Sequence, residues 1–333
     1  MYQGEKAYKP IDPVRRGYEF GGWYRNDPPT TMFYFSDLVT STMTLYAKWT
    51  KITDVPGATF AEKFVWLKSN ALSNTTYTVK VDGTSSYSES LAPQSLSYPG
   101  YTNVTINLTG GNNSGLRRTI SLSGNGSLFN VGDGVILSLV DYISLQGHSS
   151  NNSPLVIVGS GGELTMENNS AIYGNTGFTT GGGVCVDVNG LFTMNDGEIY
   201  GNSAVFGGGV YVYASTTGRA EFRMYGGTIY SNTAYSYNFG YGYGGGLGGG
   251  VYVYNAQRGY TGKFTKSGGG TINGRYGTNI NVAKDGDGIV IDGNGHAVYV
   301  SSSGYIGSYA LYRDTTAGPE VDLDSESGTN WGL

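Results

Sequence analysis

One cysteine and two histidines in 333 residues leave few groups for metal or thiol chemistry. Cys185 has no second cysteine to bond, and with His148 and His296 it makes no cluster of zinc-ligand spacing. No metal and no cofactor are expected. Charged residues are only 14% of the chain, against about 25% in an average globular domain. The net charge is −5, so the clustered Lys and Arg that follow a phosphate backbone are missing and nucleic acid is not an expected partner. No apolar run approaches the roughly 18 residues of a membrane span, and no charged-then-apolar leader opens the chain. The expectation is a cytosolic chain or a piece of a longer secreted one.

Glycine, tyrosine and repetition are plentiful. Glycine supplies 56 residues and tyrosine 29, and the glycine share is more than twice the average of about 7%. The glycines keep no collagen triplet, and the many Tyr, Val and Ile argue against disorder. Gly181 to Val186, Gly207 to Tyr213 and Gly248 to Tyr254 are near copies, with starts 26 and 41 residues apart. Leu164-Thr-Met166, Phe192-Thr-Met194, Phe222-Arg-Met224 and Phe264-Thr-Lys266 form a second set. Ala171-Ile-Tyr173, Glu198-Ile-Tyr200, Thr228-Ile-Tyr230 and Thr271-Ile-Asn273 form a third. Three short strands in roughly 26 residues read as one coil of a parallel β-helix, in which a coil buries its apolar face only by stacking on its neighbours.

Period-two alternation assigns the faces. Val184, Val186, Val210, Val212, Val251 and Val253 point inward with the Phe, Met and Ile of the other two strands. The tyrosines between them point outward in three columns: Tyr211 with Tyr252 above Cys185, Tyr213 with Tyr254, and Tyr173 with Tyr200 and Tyr230. Asn175, Asn202 and Asn232 recur at one corner and are expected to form an amide ladder. Thr59 to Asn70 is the one helical stretch, with a Thr59-x-x-Glu62 capping box and Phe60, Phe64, Leu67 and Ala71 at helical spacing. It is placed across the open end of the coil stack, where it covers edge and core together.

The first fifty residues differ in composition. Asp12-Pro-Val-Arg-Arg-Gly-Tyr-Glu-Phe-Gly-Gly-Trp-Tyr24 and Leu45-Tyr-Ala-Lys-Trp49 resemble the Listeria–Bacteroides repeat, a small β-grasp-like module of bacterial surface proteins. Tyr18, Phe20, Trp23, Leu45, Ala47 and Trp49 supply the aromatic core such a short module needs. The first strand and glycine turn that the resemblance places before Pro13 look truncated. Such a module implies either partner contact or a spacer, and it favours a surface-protein context for the chain. The coils likewise resemble the right-handed parallel β-helix repeats of bacterial surface and adhesin-like proteins. The expected fold is therefore all-β: a module over residues 1–50, a right-handed parallel β-helix with its capping helix over 51–325, and a tail over 326–333.

Fold alone does not give function. Glycan-cleaving β-helices need convergent carboxylates, or a basic residue beside calcium, on one outer face. Asp285, Asp287, Asp292 and His296, with Arg275 nearby, are the candidates, and the plainer reading is that Asp-Gly and Asn-Gly pairs turn the chain. No serine or Cys185 is placed beside either histidine by the sequence, so no nucleophile triad is expected. The second coil step carries about 15 extra residues, filled by an insertion containing Tyr235, Tyr237, Phe239, Tyr241 and Tyr243. Rings on a glycine hinge suit contact with a sugar or a protein, or a self-packing loop. The leading expectation is a non-enzymatic extracellular or cell-surface structural or adhesive protein, making multivalent contacts through the tyrosine columns and this loop. Its partners would be further copies of itself, a surface protein or a glycan; the alternative is a polysaccharide-binding or polysaccharide-cleaving β-helix.

Overall fold

The computed structural model describes residues 4–80, 88–111, 117–215, 217–238, 243–255, 262–267, 270–273, 280–284, 289, 298–302 and 311–313. Strands of two to six residues, cut by glycine and asparagine corners, are too short to pair within a coil and pair with the next coil instead. Three parallel sheets result. Sheet I has eight strands, in order Thr75–Lys80, Val104–Thr109, Val135–Val140, Glu163–Met166, Leu191–Met194, Glu221–Met224, Lys263–Lys266 and Leu311–Arg313. Sheet II has seven: Ser88–Leu91, Arg118–Leu122, Ile143–Gln146, Ala171–Tyr173, Glu198–Tyr200, Thr228–Tyr230 and Thr271–Ile272. Sheet III also has seven: Gln94–Leu96, Phe129–Val131, Val156–Val158, Val184–Val186, Val210–Ala214, Val251–Asn255 and Val298–Ser302. Each coil visits I, II and III in turn, which is a parallel β-helix.

The alignments read from the repeats are the pairing itself. Leu164, Phe192, Phe222 and Phe264 are successive Cα partners in sheet I, and Ile172, Ile199, Ile229 and Ile272 are partners in sheet II. Inside the coil the rings of Phe192, Phe222 and Phe264 stack at 4.5 and 4.9 Å. Val, Ile, Leu and Met from all three sheets fill the rest of a single continuous core. Like side chains stack on like at one coil spacing, so the register is fixed by the core as well as by the backbone.

Helix α1, Phe60–Asn70, closes the first coil. Thr59 Oγ1 accepts from the Glu62 N–H, and the Glu62 carboxylate accepts from the Ala58 N–H, one residue before the partner that a capping box implies. Glu89 of sheet II also accepts from the Phe60 N–H, placing a second carboxylate at the positive end of the helix. Phe60, Phe64 and Leu67 face the core, with Phe64 5.3 Å from Phe129.

The amino-terminal module pairs Tyr18–Tyr24 antiparallel with Tyr46–Lys51 and, separately, Glu5–Lys6 with Leu38–Val39. A short strand thus stands before Pro13. Phe20 packs on Trp23 and Trp49 at 5.6 and 5.5 Å. The module is fastened to the solenoid by Arg16 and Gly17. Arg16 Nε donates to the Ala71 carbonyl, its guanidinium lies 4.3 Å over the Tyr101 ring, and the Gly17 N–H donates to Asn70 Oδ1. Gly17 has φ +71°, and a Cβ there would stand 2.8 Å from the Asn70 carbonyl oxygen. Only glycine permits this approach.

The insertion after the 230 corner begins as a strand. Thr233–Asn238 pairs antiparallel with Tyr243–Gly245, and its first residues pair in parallel with Ser203–Ala204 and Val282–Lys284. The Tyr/Gly loop is therefore a hairpin rooted on a short fourth ladder. Phe239 and Tyr241 lie outside the described residues, and nothing is described of the Tyr243 side chain.

Candidate functional site

The glycine runs, the asparagine corner and the tyrosine columns form one device. Asn151 Nδ2 donates to Asn175 Oδ1 at 2.9 Å, and Asn202 Oδ1 accepts from the Asn175 backbone N–H at 3.1 Å. Asn232 Oδ1 accepts both the backbone N–H and the Nδ2 of Asn202, and Asn281 Oδ1 accepts the same pair from Asn232. The ladder expected over three asparagines thus runs through five, all buried. Asn175 Nδ2 also donates to the Gly182 carbonyl, and a Cβ on Gly183 or Gly209 would stand 3.0 or 3.1 Å from the amide of Asn202 or Asn232. A Cβ on Gly182 would lie 2.3 Å from the Gly208 carbonyl oxygen. The glycines keep the corner bare so that neighbouring coils and their amides can close on it.

Outside sheet II, Tyr173, Tyr200 and Tyr230 stack at 5.0 and 5.1 Å with ring planes 7° and 9° apart. All three are half-buried. Both faces of Tyr200, and one face each of Tyr173 and Tyr230, are taken up by neighbouring rings. Glu198 sits beside the column, accepting from the Tyr230 hydroxyl and pairing with Arg117, which reaches it from just before a strand three coils earlier. Burial, then the Glu198 carboxylate, push the Tyr230 phenol up to about 12. Burial also raises Tyr200, with Tyr173 and Glu198 adding to it.

The columns outside sheet III are a different case. Tyr211 and Tyr252 are only 8% and 4% exposed, so the expectation of an exposed column fails for this pair. They do point away from the core. However, they stack on each other at 5.4 Å and on Tyr213 and Tyr254 at 6.2 and 6.3 Å. Phe206, from the corner before Gly207, closes over Tyr252 at 5.4 Å, and Tyr299 continues the column at 5.6 Å. Tyr213 and Tyr254, 5.7 Å apart, stay half-buried at the rim. Alternation distinguishes in from out; it does not reveal that a loop covers the outside.

Cys185 lies below Tyr211 as expected, half-buried, and burial followed by the nearby Asp187 pushes its thiol up to about 12. A thiol so raised is not a nucleophile at neutral pH. His148 does have a serine beside it: Ser150 Oγ is 3.3 Å from Nδ1, while Nε2 is 3.1 Å from the Gly124 carbonyl of the preceding coil. The ring stitches two corners together. Asp285, Asp287, Asp292, His296 and Arg275 lie outside the described residues. Among the described residues no three His, Cys, Asp or Glu side chains converge as a metal site.

In the insertion, Tyr237 packs edge-on against Phe178 at 4.8 Å, and the Tyr235 hydroxyl donates to the carbonyls of Gly177 and Phe178 two coils back. Phe178, Phe206, Tyr299, Asn151, Asn281 and the Arg117–Glu198 pair were not singled out from sequence. Asn151 stands 24 residues before Asn175 and so carried the coil period; Arg117, 81 residues before Glu198, carried no such signal.

No curated protein and no solved structure matches the chain. No helix among the described residues is long and apolar enough to cross a membrane. Residues 1–48 match the family model of the Listeria-Bacteroides repeat domain, a module found in bacterial surface proteins.

Proposed function

We propose that the chain is a non-enzymatic structural or adhesive protein of the bacterial surface, a rigid β-helical stalk that makes multivalent contacts along its outer faces. The observation that carries this reading is the column Tyr173–Tyr200–Tyr230: three half-buried phenols in register, one coil apart, on a continuous ladder. Because the inner faces of the stack are occupied, contact is made by the hydroxyl row, beside the carboxylate and guanidinium of Glu198 and Arg117. Such a row offers hydrogen bonds at a repeat of about 4.8 Å to sugar hydroxyls or to the backbone of an extended chain. Fastening of the module through Arg16 and Gly17 supports a stiff stalk continuing into it.

Changing Tyr173, Tyr200 and Tyr230 together to Phe keeps the stack and removes only the hydroxyls. Arrays of glycans and of surface proteins probed with wild type and the triple variant test the reading. Binding that is lost in the variant, with stability lowered by no more than the about 1 kcal/mol of the Tyr230–Glu198 hydrogen bond, is expected; binding equal in both refutes the hydroxyl row as the contact.

A further inference from the structure

We propose that the ligand of the hydroxyl row is an uncharged, linear, β-linked glycan lying along the solenoid axis, one sugar to a coil. The inference rests on the row being a contact surface and says which class of molecule it meets. Tyr173, Tyr200 and Tyr230 stack at 5.0 and 5.1 Å with nearly parallel rings, so their hydroxyls follow one another at about the coil spacing. An extended peptide presents the same edge only every second residue, about 6.6 Å apart. Laid along the row it is about 1.6 Å out of step at the first neighbour, against a hydrogen-bond range of about 0.5 Å. A polyproline helix returns to one edge only every ~9 Å and passes over the middle phenol. A pyranose ring with its glycosidic oxygen is about as long as a coil is thick, and a β-linked chain carries hydroxyls along both edges. Such a chain meets each phenol in turn.

The row is longer than the three tyrosines. Ser90, Ser121, Gln146, Tyr173, Tyr200 and Tyr230 are successive Cα partners in sheet II, and none of these side chains is buried. Ser121 Oγ donates to Gln146 Oε1, while Gln146 Nε2 has no partner among the described residues. The hydroxyls of Tyr173 and Tyr200 have none there either, whereas Tyr230 donates to Glu198. Hydroxyl and amide groups thus stand in one line, one per coil, on six successive strands. Local charge favours a neutral sugar. The charged side chains that act on Tyr200 and Tyr230 are Glu198 and Arg117, and these are paired with each other. A uronate would have to displace Glu198 from Arg117 and leave that carboxylate beside its own.

The test is isothermal titration calorimetry of the whole chain with β-1,4-linked dimers, tetramers and hexamers of glucose, mannose and xylose, and with the β-1,4-linked mannuronate hexamer. At least one neutral series is expected to bind, more tightly as it lengthens, and the mannuronate hexamer to bind more weakly than the mannose one. Gln146→Ala, which removes one hydrogen-bonding group from the row, is expected to weaken the best hexamer about two- to tenfold, and Tyr173→Phe/Tyr200→Phe/Tyr230→Phe at least about tenfold. An unchanged far-UV spectrum certifies the fold of each variant. No neutral series bound, an affinity that does not rise from dimer to hexamer, a mannuronate hexamer bound as tightly as mannose, or variants that bind like wild type overturns the inference. Where the glycan assignment alone fails, binding to a surface protein on the array is still lost in the triple Phe variant. Where the hydroxyl row itself fails as a contact, that binding too is equal in both proteins.

Discussion

Replacing Asn202 with Ala removes the middle of the amide ladder. Its Oδ1 no longer accepts from the Asn175 N–H at 3.1 Å, and its Nδ2 no longer donates to Ile172 O or Asn232 Oδ1, both at 3.1 Å. Three buried hydrogen bonds at a net of about 1 kcal/mol each are lost, and the Asn175 N–H is stranded at a further cost of about 1–3 kcal/mol. The expected destabilisation is about 4–6 kcal/mol. Asn195→Ala serves as control: its one side-chain bond, to Glu167, is exposed, and the change is expected to cost no more than about 0.5 kcal/mol. Urea denaturation followed by far-UV circular dichroism gives the difference. Because coils touch only their neighbours, amide exchange should accelerate first in the coils of Asn175, Asn202 and Asn232. An Asn202→Ala protein within about 1 kcal/mol of Asn195→Ala would show that the ladder follows from the fold and does not hold it.

Gly182→Ala places a Cβ 2.3 Å from the Gly208 carbonyl; backbone must move, and a loss of about 2–3 kcal/mol is expected in the same assay. Gly124→Ala, which meets nothing within 4 Å, is expected within about 0.5 kcal/mol of wild type. Tyr211→Ser with Tyr252→Ser should lower the denaturation midpoint while leaving array binding intact, since those rings are buried; binding lost at full stability would restore them as contact residues. Cys185 and Tyr230 are both held protonated by burial, from ordinary values of 9.0 and 10.0 up to about 12. Below pH 9 folded and unfolded chains alike carry these protons, whereas between pH 9 and 12 only the unfolded chain releases them, so stability must fall across that window. A midpoint that is flat or rises there contradicts the burial, and Cys185→Ser should remove the earliest part of the fall.

The coils from Leu164 onward were legible in the sequence because the same residue types recur coil after coil, so that Phe192 announces Phe222 and Asn175 announces Asn202. Earlier coils were harder. Ser88–Leu91 and Gln94–Leu96 carry Ser, Glu and Gln where later coils carry Val and Ile, and Phe129–Val131 is only three residues long; their strand character comes from the coils they pair with. The helix was readable from Thr59, Glu62 and the Phe60/Phe64/Leu67 spacing, although its cap reaches Ala58. Burial of Tyr211 and Tyr252 was not legible, because Phe206 closes over Tyr252 from the corner before Gly207 and Tyr211 is packed among Tyr213 and Tyr252. Nor was the Arg117–Glu198 pair, which joins coils brought together only by stacking.

Incubating the chain with a panel of polysaccharides and measuring bound protein and reducing ends in the same wells tests the functional account most directly. The account predicts retention of the protein on its ligand with no new reducing ends. Reducing ends released by wild type and abolished by Asp287→Asn would contradict it, and would make the chain a glycan-cleaving β-helix.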